Sequence, residues 1–220
     1  MTKYSELLYK DDFTVNQWID WQLKALIVYE DQTCGNISPS YFEDIMLTGN
    51  INGMVFSWEG DFDEDKTLKG LLARYHENEI DWLGIVLLDI DQDKGETKLE
   101  LICSTGGGGQ VLRDTLRKLR HDKSQKYMHL SSVFSAMGFY RKIGFQFWTK
   151  GTTDESKRVT KAWTKAFGET SFKPEEVKNN WQFSPRLDKF VDKLKSANVI
   201  EKKLGNKNIF QQGITMSISL

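Results

Sequence analysis

Two apolar runs, IDWLGIVLLDI at 80–90 and ETKLELICS at 96–104, are separated only by DQDKG, and no other stretch constrains the fold as tightly. Runs of this length rich in large and β-branched residues, joined by a short Asp/Gly turn, read as an antiparallel hairpin. A hairpin needs neighbouring strands and a covering layer to be stable. Further strands read at 3–9, at NGMVFSW (52–58), at YMHLSS (127–132), at FQFW (145–148) and in the closing GITMSISL. Helical patterns alternate with them, so the expected class is α/β (α+β).

The first helix starts at a capping box, Thr14-x-x-Gln17, with Phe13 and Trp18 placed as a hydrophobic staple. Val15, Trp18, Ile19, Leu23, Leu26 and Ile27 follow at helical spacing, predicting a helix to about Asp31. Ser38-Pro39 predicts a second helix through Met46. DKTLKGLLARYH suggests a third after an acidic segment holding Asp61, Asp63, Glu64 and Asp65. Past the glycine run, Val111, Leu112, Thr115, Leu116 and Leu119 form a stripe opposite Arg113, Asp114, Arg117 and Lys118. Farther on, Val133, Ala136, Tyr140 and Ile143 share one helical face that stops at Gly144.

From 149 to 208 the chain is Lys-rich and weakly patterned. Trp163 and Trp181 argue against a disordered linker there. The expected organisation is therefore a main domain, 1–148 plus 209–220, interrupted by a helical insertion or subdomain. Thirty basic and 31 acidic side chains leave a net charge of -1, which points to neither a nucleic-acid nor a membrane partner. MTKYSELLYKDDF lacks a signal-peptide core, so an intracellular, cytoplasmic protein is expected. Cys34 and Cys103 form no metal-binding spacing with the three histidines, and Cys103 reads as a small buried hydrophobe.

The run STGGGGQ at 104–110 lies between an apolar strand and an amphipathic helix. Bare backbone ahead of a helix N-terminus suits an anion, since N–H groups can approach it closely. A Walker loop is excluded because Gln110 and Val111 follow Gly109. The dinucleotide pattern fails because a glycine would be needed at 111, where Val stands. A methyltransferase loop needs an acidic residue at the end of the next strand, which closes with HLSS.

Gly106 and Gly108 in STGGGGQVL, with Ala136, Tyr140, Gly144 and Phe145 in SAMGFYRKIGFQFW, resemble the Gcn5-related N-acetyltransferase (GNAT) superfamily. The resemblance spans about 80–148 and extends loosely to the N-terminal elements and last strand. It implies a mixed, mostly antiparallel twisted sheet flanked by helices and splayed between KLELICS and YMHLSS. It further implies coenzyme A with its pyrophosphate on Ser104, Thr105, Gly106, Gly107, Gly108, Gly109 and Gln110. The pantetheine arm would run along Leu101, Ile102 and Cys103, and Arg141 would meet the cofactor's 3′-phosphate. Arg113, Arg117 and Lys142 are further phosphate candidates.

An amine would attack the thioester directly, with Tyr140 as the acid that protonates the thiolate. Glu100 is the candidate base, and Glu79 and Asp81 are alternatives. The family usually carries Gln or Arg where Cys103 stands and Asn where Val133 stands. The implied activity is acetyl transfer from acetyl-CoA to a primary amine, on a small molecule or a lysine side chain, without a metal. A catalytically degenerate binding module is the alternative, and an S-adenosylmethionine-dependent methyltransferase a more distant one.

Overall fold

The computed structural model describes residues 2–31, 38–60, 67–76, 79–104, 107–122, 124–132, 136–147 and 214–220, and isolated positions 161, 192, 195 and 196. Within these the elements run β1 (Thr2–Tyr9), α1 (Val15–Asp31), α2 (Pro39–Thr48), β2 (Gly53–Gly60), α3 (Leu68–Arg74), β3 (Asp81–Asp91), β4 (Glu96–Cys103), α4 (Gly108–His121), β5 (Tyr127–Ser132), α5 (Met137–Ile143), β6 (Gln146–Phe147) and β7 (Ile214–Ser219). The class is mixed α/β, with antiparallel pairing wherever register is defined within each unit. The acidic segment 61–66 and nearly all of the 149–208 tract lie outside the described residues.

The chain divides into two compact units, Met1–Lys126 with Leu220, and Tyr127–Ser219. The division falls before β5. In the first unit β1, β2, β3 and β4 pair in chain order. Gly95, with φ +69°, closes the β3–β4 hairpin. In the second unit β7 pairs with both β5 and β6.

Strand alternation splits the first unit's core between two sheet faces. Met54, Phe56, Trp58, Ile85 and Leu87 belong to the cluster that α1, α2 and α3 cover. Aromatic rings fill much of it: Trp21 meets Phe56 at 5.7 Å, Phe56 meets Trp82 at 5.9 Å, and Tyr29 stacks on Phe42 at 4.4 Å. The remaining strand residues Val55, Val86 and Leu88 are buried but outside that cluster. Helix α4, which packs on β3 and β1, buries Val111, Leu112, Leu116 and Leu119.

Local signals produced the expected boundaries. The Thr14 backbone N–H donates to Gln17 Oε1 (2.9 Å) and the Gln17 N–H to Thr14 Oγ1 (3.4 Å), while Phe13 and Trp18 sit 6.2 Å apart. Ser38 caps α2 by accepting from the Tyr41 N–H.

Helix α1 runs to Asp31 as expected, and one of its two apolar faces enters the core. Trp18, Trp21, Ala25, Val28 and Tyr29 enter the core. Val15, Ile19, Leu23 and Ile27 are exposed. Both helix faces are apolar, and the one in the core carries the aromatic rings of Trp18, Trp21 and Tyr29. Asp114, expected on the polar face of α4, is buried instead, held by Gln110 and Arg117. No helix among the described residues is long and apolar enough to cross a membrane.

Candidate active site

The glycine run sits where β4 hands over to α4, and three departures from regular geometry shape that junction. The first is a bulge in β4. Leu101 pairs with Leu87 and Leu99 with Leu88, so Glu100 occupies an extra position. Its half-buried carboxylate is tied to Lys98 two residues back.

The second departure is in β3. Ser57 pairs with Gly84 and Trp58 with Trp82, leaving Leu83 as the extra residue. Gly84 has φ +151°, and a Cβ there would stand 2.3 Å from the Cys103 carbonyl oxygen and 2.8 Å from Ser104 Cβ. Only glycine lets β3 approach the start of the loop this closely. Sequence reasoning passed over Gly84, although a single glycine inside an apolar strand is a signal for close approach.

The third departure is an unused hydroxyl. Ser104 Oγ is buried and has no hydrogen-bond partner among the described residues. It faces Gly107, where an added Cβ would lie 3.4 Å away. Gly107 opens α4 with no side chain capping the helix. The Gln110 and Val111 N–H groups close on the Gly107 carbonyl at 2.8 and 3.1 Å. The amides of Gly108 and Gly109 have no acceptor within the helix, as first-turn geometry requires. Arg113 lies over the same turn, its Nη2 3.4 Å from where a Gly109 Cβ would be. A buried hydroxyl, helix-terminal amides and a guanidinium form a donor set that fits an anion such as the coenzyme A pyrophosphate.

Several predicted residues stand differently from the simple expectation. Gln110 spends both its donors inside α4, the N–H on Gly107 and the side-chain amide on Asp114 at 3.0–3.1 Å. Arg117 is paired with Asp114 at 3.0 Å. Cys103 is buried as expected, but its sulfur is disulfide-bonded and so is no free thiol. Leu101 is buried and Ile102 partly so, and Thr105 and Gly106 lie outside the described residues.

Tyr140 and Arg141 belong to the second unit, on α5. Gly144 takes a left-handed conformation (φ +114°) and donates to the Arg141 carbonyl, while Phe145 donates to the Tyr140 carbonyl at 3.1 Å. This is a Schellman motif, with Phe145 packing edge-on to Tyr140 at 5.7 Å. The spacing Y-x-x-x-G-F therefore has a local structural cause: it fixes the ring of Tyr140 at the helix end. Burial pushes the Tyr140 phenol up to about 12. The group stays protonated at neutral pH, a hydrogen-bond donor rather than a phenolate. Val133 lies outside the described residues.

No protein-family profile matches the chain. No curated protein matches it either. Among solved structures, Tetrahymena Gcn5 is similar over 98% of this chain and 94% of its own, at 10% identity and a TM-score of 0.45. A Bacillus subtilis acetyltransferase in complex with CoA matches over 100% and 99% at 13% identity and 0.42. An acyl-CoA N-acyltransferase from Pseudomonas aeruginosa matches over 68% and 90% at 15% identity and 0.42. The described elements themselves form a mixed α/β fold with antiparallel strand pairing.

Proposed function

We propose that the chain is a coenzyme A-dependent acyltransferase moving an acetyl group to a primary amine. The observation that carries this reading is the Ser104 hydroxyl, buried without a hydrogen-bond partner among the described residues, beside Gly107 at a helix N-terminus that no side chain caps. A desolvated donor without an acceptor costs stability, and an anionic ligand at that spot would recover it.

Acetyl-CoA, when bound, supplies the acetyl group as an activated thioester. In this reading Ser104, Gly107, Gly108 and Gly109 hold its pyrophosphate with Arg113 above them, and the backbone of Leu101, Ile102 and Cys103 lines the pantetheine arm. Arg141 contributes positive charge to the phosphates. Tyr140 holds a proton on its phenolic oxygen for the departing thiolate. Glu100, displaced by its bulge, accepts the amine proton once it leaves Lys98. The acceptor is an amine on a small molecule or a lysine side chain.

The test is a thermal shift with acetyl-CoA, followed by thiol-release assays against polyamines, amino acids, aminoglycosides and basic peptides. A ligand at a hundredfold its Kd stabilises by about 2.7 kcal/mol, an upward Tm shift of roughly 5–10 °C. No shift at saturation refutes the reading. Tyr140→Phe should then lower kcat by about a hundredfold or more while leaving KM near its original value.

A second reading, a GNAT-fold binding module without catalysis, is favoured by one observation. The position that carries Gln or Arg in the family holds a buried disulfide sulfur. Binding of acetyl-CoA without thiol release in either the parent or Tyr140→Phe would decide for it.

A further inference from the structure

Two helices of this chain open alike and then use the same side chain differently. Thr14 precedes α1 and Gly107 precedes α4, and the third helical residue is glutamine in both, Gln17 and Gln110. A glutamine there can reach back and accept from the backbone N–H of the residue that opens the helix. Gln17 does so, its Oε1 taking the Thr14 N–H at 2.9 Å. Gln110 turns the other way, down the helix, and its Nε2 donates to both carboxylate oxygens of Asp114, at 3.1 and 3.0 Å.

The residue four positions on accounts for the difference. After Gln17 it is Trp21, which is buried in the core and offers no acceptor. After Gln110 it is Asp114, an acceptor one turn along the same helix face. Asp114 is only 8% exposed, and burying a lone carboxylate would be costly. Arg117 offsets its charge from the following turn at 3.0 Å, while its own side chain stays 67% exposed. The pair is locally neutral, so it sets no net negative charge beside the glycine loop.

We infer that Asp114 is a positioning residue: it holds Gln110 off the first turn of α4 and so keeps that turn open to an anion. In the coenzyme A reading, on which this rests, Asp114 touches no ligand and acts only through Gln110. Released from Asp114, Gln110 would swing back as Gln17 does, and its Oε1 would take the Gly107 N–H. An acceptor oxygen would then stand over the amides that, with the buried Ser104 hydroxyl, form the donor set. It would consume one donor and oppose the phosphate oxygens with its own partial charge. The free protein forgoes that cap, and its donors stay available.

Amide hydrogen exchange read by NMR on the ligand-free full chain tests where Gln110 lies, and calorimetric titration with acetyl-CoA tests the consequence. Asp114→Leu fills the buried position without an acceptor and leaves Arg117 to solvent. In it the Gly107 amide should exchange about fivefold more slowly than in the parent, because a new hydrogen bond protects it. Acetyl-CoA affinity should fall by about fivefold, the size of a typical helix-cap contribution. Asp114→Leu combined with Gln110→Ala should return both values to within about twofold of the parent, a rescue that a purely structural aspartate would not show. Asp114→Ala is the second variant should Asp114→Leu fail to fold.

Unchanged Gly107 exchange in both Asp114 variants overturns the inference. So does an affinity loss that persists once the Gln110 side chain is gone. A parent that binds no acetyl-CoA refutes the coenzyme A reading instead, and the exchange comparison, which needs no ligand, still decides whether Asp114 positions Gln110.

Discussion

Replacing Ser104 by Ala should move stability and affinity in opposite directions. The Ser104 hydroxyl is buried without a hydrogen-bond partner among the described residues. An unsatisfied buried donor costs about 1–3 kcal/mol, so removing it should stabilise the apo protein by about 1 kcal/mol. For a chain of this size that is a Tm rise of roughly 2–4 °C. The fold has already stripped water from the hydroxyl. A hydrogen bond to a phosphate oxygen is therefore not offset by further desolvation on the protein side. A hydrogen bond to a charged group contributes about 1.5–3 kcal/mol, so coenzyme A affinity should fall by about tenfold or more. Differential scanning fluorimetry reads the first effect and isothermal titration calorimetry the second. A lowered apo Tm, or an affinity within twofold of the parent, would refute the reasoning.

Three further outcomes follow from geometry already described. Burial raises the Tyr140 pKa to about 12, so the protonated phenol is favoured by folding. Its stabilising share is complete below the unfolded value of about 10 and lost as pH rises through about 12. Ultraviolet difference titration of parent against Tyr140→Phe should therefore isolate a component near 12, and one near 10 would show the ring exposed. Gly144→Ala places a side chain at φ +114° with its Cβ 3.3 Å from Ile218 Cδ1. A loss of about 1–2 kcal/mol in urea unfolding is expected, and a neutral result would contradict the Schellman geometry.

Tyr9 donates to Asp122 at 2.6 Å. Desolvation raises the Asp122 pKa, but hydrogen bonds from Tyr9 and Ser124 outweigh it and hold the carboxyl below its usual range. That contribution is present above the unfolded value near 3.9 and disappears as pH falls through the folded one, and solvent screening keeps it under about 1 kcal/mol. Tyr9→Phe should flatten the loss of stability between pH 5 and pH 3, and an unchanged slope would show the bond to be inert.

Local chemistry was legible where it acts over a few residues. The β3–β4 hairpin, the Thr14 box, the Ser38 cap and the Gly144 stop all depend on neighbours within about one turn. Which face of α1 enters the core was not legible in this way. Its aliphatic ridge is as periodic as its tryptophan face, and periodicity cannot rank two apolar faces against one sheet. At the site, the glycine run marked the junction, but its geometry depends on a contact across strands. Gly84 lies twenty residues before Ser104 in sequence and beside it in space. The commitment of Gln110 to Asp114 was hidden for a related reason, since a buried helix aspartate looks in sequence like any solvent-facing one.

The extra residue at position 100 has a consequence for how β4 can change. Leu99 and Leu101 would share a sheet face in an unbroken strand, yet they pair with Leu88 and Leu87, which point to opposite faces. The strand is thus two segments out of phase, with Glu100 absorbing the slip. Removing that one residue would bring the halves back into step and turn Leu101 and Cys103 out of the cluster under α1. The loop that follows would be carried round with them. The two ends of β4 can therefore accept substitutions under separate alternation rules, so long as the residue between them is neither deleted nor doubled.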